Sequence, residues 1–147
     1  MKRLTYALAV LLATVVGSFV LASPASAGNT PAGCASPQFI NNRAIWYGVG
    51  SSSWRIGTLT QYWGWCNGGY KRNWAHVHFR EGNSAFGIKI AIQKRDGSLH
   101  GYRTVDSGRD FTSRPAATMC CSTRAWVKGN FWNGGVATLS THTTAWT

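Results

Sequence analysis

The stretch Phe86-Gly87-Ile88-Lys89-Ile90-Ala91-Ile92-Gln93 decides the fold. Phe86, Ile88, Ile90 and Ile92 alternate with Gly87, Lys89, Ala91 and Gln93, a period of two that gives an extended strand one face for a core and one for solvent. Asp96-Gly97 follows as a hairpin turn signal, which predicts a return strand from Leu99 to Val105 with Lys94, Arg95 and Arg103 near one end of the ribbon. Upstream, Asn73 to Arg80 alternates as cleanly: Ala75, Val77 and Phe79 on one face, Trp74, His76, His78 and Arg80 on the other. The turn Asn67-Gly68-Gly69 separates it from Trp54 to Trp65, a run of aromatic and β-branched residues with no helix cap that reads as another strand. Downstream, Asp106 to Ala117 reads as a loop. Thr118 to Lys128 and Val136 to Ala145 read as two strands joined around Asn133-Gly134-Gly135. No stretch after residue 27 carries a 3.6-residue period. The expected fold is all-β, a small disulfide-stabilised antiparallel sandwich or open barrel of six or seven strands.

The ends of the chain set its context. Lys2 and Arg3, the apolar run Leu4 to Leu21 and Ala25-Ser26-Ala27 form the three parts of a secretory signal peptide over residues 1–27. The run is long enough for an uncleaved anchor, but the Ala-x-Ala site favours removal, which leaves 28–147 as a single secreted, extracellular domain with no membrane span. Gly28 to Gly33 is small and polar and is expected to be a flexible arm until Cys34 ties it down. Residues 28–147 hold thirteen Lys and Arg against four acids, a net charge of +9, with eight Trp, four Tyr and five Phe. So much apolar surface excludes intrinsic disorder. Only Glu81, Asp96, Asp106 and Asp110 are left for oxygen-anion ligation or acid–base work, which excludes a carboxylate-rich calcium site.

Cys34, Cys66, Cys120 and Cys121 predict two disulfides in a secreted chain. A bond between the adjacent pair would close almost no loop. The expected pairing therefore joins Cys34 and Cys66 to one each of Cys120 and Cys121, in either order, since neighbours on a strand point to opposite faces. No Cys-x-x-Cys is present to suggest redox work.

His76 and His78 put two imidazoles on one strand face, a geometry that zinc and copper sites use, and His100, His142 or Glu81 could complete such a site. No spacing argues for a third ligand, so the expectation is no metal and no cofactor. His76 and Glu81 with nearby arginines also match the residue types of small basic ribonucleases, but no ordered motif accompanies them. Neither Gly-x-Ser-x-Gly nor a phosphate loop occurs. Binding is better supported than catalysis. Trp63, Trp65, Tyr70, Lys71, Arg72 and Trp74 interleave aromatic and basic side chains, and Arg124, Trp126 and Lys128 share one strand face, so these nine are the candidate contact residues.

The run Leu59-Thr60-Gln61-Tyr62-Trp63-Gly64-Trp65-Cys66, followed by Asn73-Trp74-Ala75-His76-Val77, resembles the core of a large group of small secreted actinobacterial proteins. In that group a strand ends in Tyr-Ser-x-x-Cys and is followed by x-Trp-Ala-x-Val. Tyr62, Cys66, Trp74, Ala75 and Val77 fall on the pattern, Trp63 stands in place of its Ser, and the gap from Cys66 to Trp74 is longer than usual. Proteins that look like this include the small adapter subunits of umbrella-shaped antibacterial toxin particles of Streptomyces, which join a lectin-bearing subunit to a large toxin. The resemblance implies a non-catalytic secreted β-domain whose work is protein binding. The expected function is an adapter module with a secreted protein partner. The alternative is a stand-alone cationic protein that binds anionic cell-wall polymer or membrane polyanions, with no specific nucleic acid as target.

Overall fold

The computed structural model describes residues 28–48, 50–132 and 134–147. The expected signal peptide, and Asn133 of the expected turn, lie outside the described residues. Eight strands run in chain order: β1 (Cys34–Tyr47), β2 (Trp54–Cys66), β3 (Tyr70–Phe79), β4 (Ser84–Lys94), β5 (Leu99–Val105), β6 (Asp110–Thr112), β7 (Thr123–Trp132) and β8 (Val136–Thr143), with one short 3-10 turn at Gly50–Ser52. They form two four-stranded antiparallel sheets, β1-β2-β3-β6 and β5-β4-β7-β8. The sheets do not close into a barrel, so of the two expected architectures the sandwich is the one formed.

The alternating residues meet between the sheets. Leu59, Ala75, Val77 and Phe79 of one sheet and Ile88, Ile90, Ile92, Ala125, Val127 and Phe131 of the other are fully buried. Phe86 departs from its predicted place and is exposed, because the β4–β7 register shifts between Phe86 and Lys89 and a bulge resets which face each residue takes. The β4–β5 hairpin turns through Arg95-Asp96-Gly97, with Lys94 N donating to Ser98 O at 3.0 Å and Gly97 at φ 87°. That angle is cheap for glycine alone. Arg103 stands opposite Ile90, far from Lys94 and Arg95, and donates to Thr112 O at 3.3 Å across to the other sheet.

A buried polar network ties the layers together. Gln61 Nε2 (2.8 Å) and Asn73 Nδ2 (3.2 Å) both donate to Thr123 Oγ1, and Thr144 Oγ1 accepts from Ala125 N at 3.0 Å while reaching Gln61 Oε1 at 3.4 Å. Burial makes each of these bonds costly to lose.

The disulfide expectation is corrected. Cys34 bonds Cys66, and Cys120 bonds Cys121. Cys34 and Cys66 face each other in the β1–β2 ladder, so the bridge closes at the end of a register already set. The argument from strand alternation does not apply to the adjacent pair, because Cys120 and Cys121 precede β7 in a turn where Cys121 N donates to Thr118 O.

Candidate functional site

Three groups of residues carry the functional question. On the β2–β3 hairpin, ladder pairing sets Trp63 against Asn73, Trp65 against Lys71 and Cys66 against Tyr70. Trp63, Trp65 and Lys71 occupy the parity that further along carries the core, yet Trp65 and Lys71 are exposed, so the second sheet does not cover them. The Lys71 ammonium lies 4.9 Å from the Trp63 ring centre and 5.1 Å from that of Trp65. On the opposite face Arg72 stacks 5.1 Å from Tyr70. A cation over an aromatic face is attracted by the ring quadrupole, so both faces of the hairpin end present ordered cation–aromatic pairs. The Cys34–Cys66 bridge ties the turn end of this hairpin to the start of β1, one rung beyond Trp65 and Lys71.

Trp74, grouped with them from sequence, is not part of that surface. It is 0% exposed. Its indole donates to Asn29 O at 2.6 Å and stacks on Tyr62 at 6.2 Å, while Gly64 leaves room for the ring where a Cβ would stand 2.6 Å from it. Residues 28–33, read from sequence as a flexible arm, lie over this ring, with Pro31 buried and Gly33 O accepting from Asn67 N at 2.8 Å. Trp74 therefore anchors the arm.

The second predicted patch lies on the outer face of the other sheet. Arg124, Trp126 and Lys128 share that face as expected; Arg124 Nε donates to Gln93 Oε1 at 2.9 Å, and its guanidinium sits 4.3 Å from the ring centre of Trp146 near the C-terminus. Arg95 reaches the same indole at 5.4 Å. Lys128 stands directly opposite Lys89 in the β4–β7 ladder, a like-charge pairing that opposes folding. Among the described residues no Lys or Arg forms an ion pair with a carboxylate.

The third group was half legible. His76 and His78 project from β3 beside β6, and Asp110 bonds both, through Oδ1 to His76 Nε2 and through Oδ2 to His78 Nδ1 at 2.9 Å. Burial raises the Asp110 pKa, but the hydrogen bonds from His76 and then His78 outweigh it, and the carboxyl lies below its ordinary value. An ionised Asp110 only accepts, so His76 Nε2 and His78 Nδ1 carry the protons and the other ring nitrogens are left free. The other partners weighed from sequence stay apart: His100 Nε2 meets Ser98 Oγ at 3.0 Å, His142 Nδ1 donates to Ser140 O at 2.9 Å, and Glu81 is exposed in the β3–β4 turn. Among the described residues no cluster of three or more His, Cys, Asp or Glu is arranged to hold a metal ion. The cluster pins the three-residue β6 to the sheet.

Sequence reasoning did not single out the end of the sandwich where the β1–β2 and β7–β8 turns meet. Trp46, Trp54, Trp132 and Val136 are exposed there, and Tyr47 is wedged edge-on between Trp54 (5.1 Å) and Phe131 (5.0 Å). The signal was in the chain, since Trp46-Tyr47 and Trp54 bracket a Gly- and Ser-rich turn.

Comparison with known proteins finds no family model, no curated protein and no solved structure that matches this chain.

Proposed function

We propose that this chain is a secreted, non-catalytic binding module that docks a protein partner as the adapter of an extracellular complex, such as an antibacterial toxin particle. The observation that carries the reading is the β2–β3 hairpin end, where Lys71 lies over a half-buried Trp63 and an exposed Trp65, beside Arg72 on Tyr70. Large rigid aromatics with a cation held on their faces are what interface hot spots are made of, because little entropy remains to be lost on docking. The disulfide at the turn end of the hairpin adds to that preorganisation. The test is capture by the tagged protein, without residues 1–27, from its native culture medium at about 0.3 M salt, where exposed charge contacts fade. Secreted proteins recovered in fixed ratio, and reduced at least about tenfold by Trp65→Ala, are the expected result.

A second reading, a stand-alone cationic protein that binds wall or membrane polyanions, is favoured by one observation: the Lys89–Lys128 pairing within a surface on which, among the described residues, no Lys or Arg is paired with a carboxylate. It predicts no protein recovered at that salt, and anionic polymer recovered only when the salt is lowered.

A further inference from the structure

A cleft of about 300 Å³ opens at the end of the sandwich, lined by Trp46, Tyr47 and Gly48 on one side and Thr138, Leu139 and Ser140 on the other. It lies between β1, the edge of one sheet, and β8, the edge of the other, where the sheets are joined by side chains rather than by a ladder: Asn41 Nδ2 donates to Ala145 O at 3.0 Å and Arg43 to Thr143 O at 3.3 Å. Three features of the lining point to one ligand chemistry. None of the six residues is charged, in a chain with thirteen cations after residue 27. The indole of Trp46 is 52% exposed, while Tyr47 is fixed between Trp54 and Phe131, so one ring is free for stacking and the other is immobilised. Among the described residues, the hydroxyls of Tyr47, Thr138 and Ser140 find no hydrogen-bond partner.

We infer that this cleft is a binding site for a neutral saccharide. A pyranose ring carries an apolar face of C–H groups and a rim of hydroxyls that both donate and accept. The first matches an exposed indole and the second a set of unengaged protein hydroxyls, which can take either role. A polyanion would leave its charge unmatched in this lining, and a purely apolar ligand would strip water from three hydroxyls without replacing those bonds. The volume sits at the lower end of the roughly 300–1,000 Å³ found for small-molecule clefts, and the open sides let a chain of sugars run past the site. The inference stands apart from the docking surface, which is built from other residues of the hairpin end.

The test is titration of the protein, without residues 1–27, with cellohexaose, chitohexaose and xylohexaose, followed by calorimetry and by tryptophan fluorescence. Binding of at least one, with a dissociation constant on the order of a millimolar or tighter, is expected. Trp46→Ala weakens it about tenfold or more, as does the double change Thr138→Val with Ser140→Ala, which keeps the size of the lining nearly constant. Tyr102→Ala, an exposed aromatic on β5, leaves it unchanged. Absence of binding by all three sugars at about 10 mM overturns the inference. So does binding that survives both cleft variants, or that Tyr102→Ala weakens equally.

Discussion

Thr123→Val tests whether the two sheets are joined as described. The substitution keeps the shape of the side chain and removes the one oxygen that accepts from both Gln61 and Asn73. All three residues are buried, Gln61 completely, so water cannot replace the lost acceptor. A buried donor left without a partner costs about 1–3 kcal/mol, and two of them about 2–6 kcal/mol. The Gln61 carboxamide is held at its other end by Thr144, which keeps Nε2 from swinging to a new acceptor. For an ordered domain of this size, 1 kcal/mol moves the melting temperature by about 4 °C, so a fall of about 8–24 °C is expected. Thr123→Ser retains the hydroxyl and loses one methyl, at a cost of about 1 kcal/mol. Urea unfolding with both disulfides intact measures each value. A Thr123→Val loss below about 1 kcal/mol, or a Thr123→Ser loss as large as the Val one, would refute the reasoning. The network also matters for the binding surfaces: Asn73 follows Arg72 and Thr123 precedes Arg124, so the loss loosens both strands that carry the contact residues.

Replacing Cys34 and Cys66 together by Ala is expected to lower stability by about 4 kcal/mol through the closed loop, whose ends are 32 residues apart, whereas Ser at Cys120 and Cys121 costs about 1 kcal/mol; denaturation in parallel checks the contrast, and equal costs would contradict it. Asp110 has a folded pKa below its unfolded one, so its contribution is complete above about pH 3.9 and disappears as pH falls from there through the folded value. The Asp110→Asn variant should therefore show a flatter decline of stability in that acid window, discounted for the partial exposure of the carboxylate, and a curve parallel to the parent would show that the two imidazoles do not hold it. Trp74→Phe removes the bond to Asn29 O and should cost about 1–2 kcal/mol, with faster hydrogen exchange and aminopeptidase trimming over residues 28–33; unchanged exchange there would mean that the indole does not hold the arm.

The elements that were legible share one property: their inward positions are apolar throughout. Ile88, Ile90, Ile92, Ala75, Val77 and Phe79 supply an unbroken period of two, and Leu99 to Val105 was fixed by its turn. β1 lacks such a period. Its half-buried Asn41 and exposed Arg43 reach backbone carbonyls of Ala145 beyond β8 and of Thr143 at its end, and three register shifts break its phase against β2, so fourteen residues of strand carry no alternation. β6 is three residues long and holds only through its partners. The same limit hid Asp110. Two histidines on one face are visible as sequence, but their carboxylate arrives from a Ser-, Gly- and Arg-rich segment 32 and 34 residues away, which only the fold brings to them. Trp74 misled for a related reason: its strand face is the outer one, and what covers that face is the chain's own N-terminal segment.

The scarcity of acids then shapes what the surface can do. Asp110 is taken up by two imidazoles and Asp96 by Ser98, and four of the cations rest on aromatic faces instead of carboxylates: Lys71 on Trp63 and Trp65, Arg72 on Tyr70, Arg95 and Arg124 on Trp146. A salt bridge would neutralise a cation as it ordered it. A ring orders the cation and leaves its charge in place. The partner that gains most from such a surface brings carboxylates or phosphates to cations already positioned, and its approach is accelerated by the field. What separates a protein from a simple polyanion is the fate of the rings underneath. An acidic protein surface that also buries Trp63 and Trp65 keeps its affinity when salt screens the charges, whereas a polymer held by Lys71 and Arg72 alone does not.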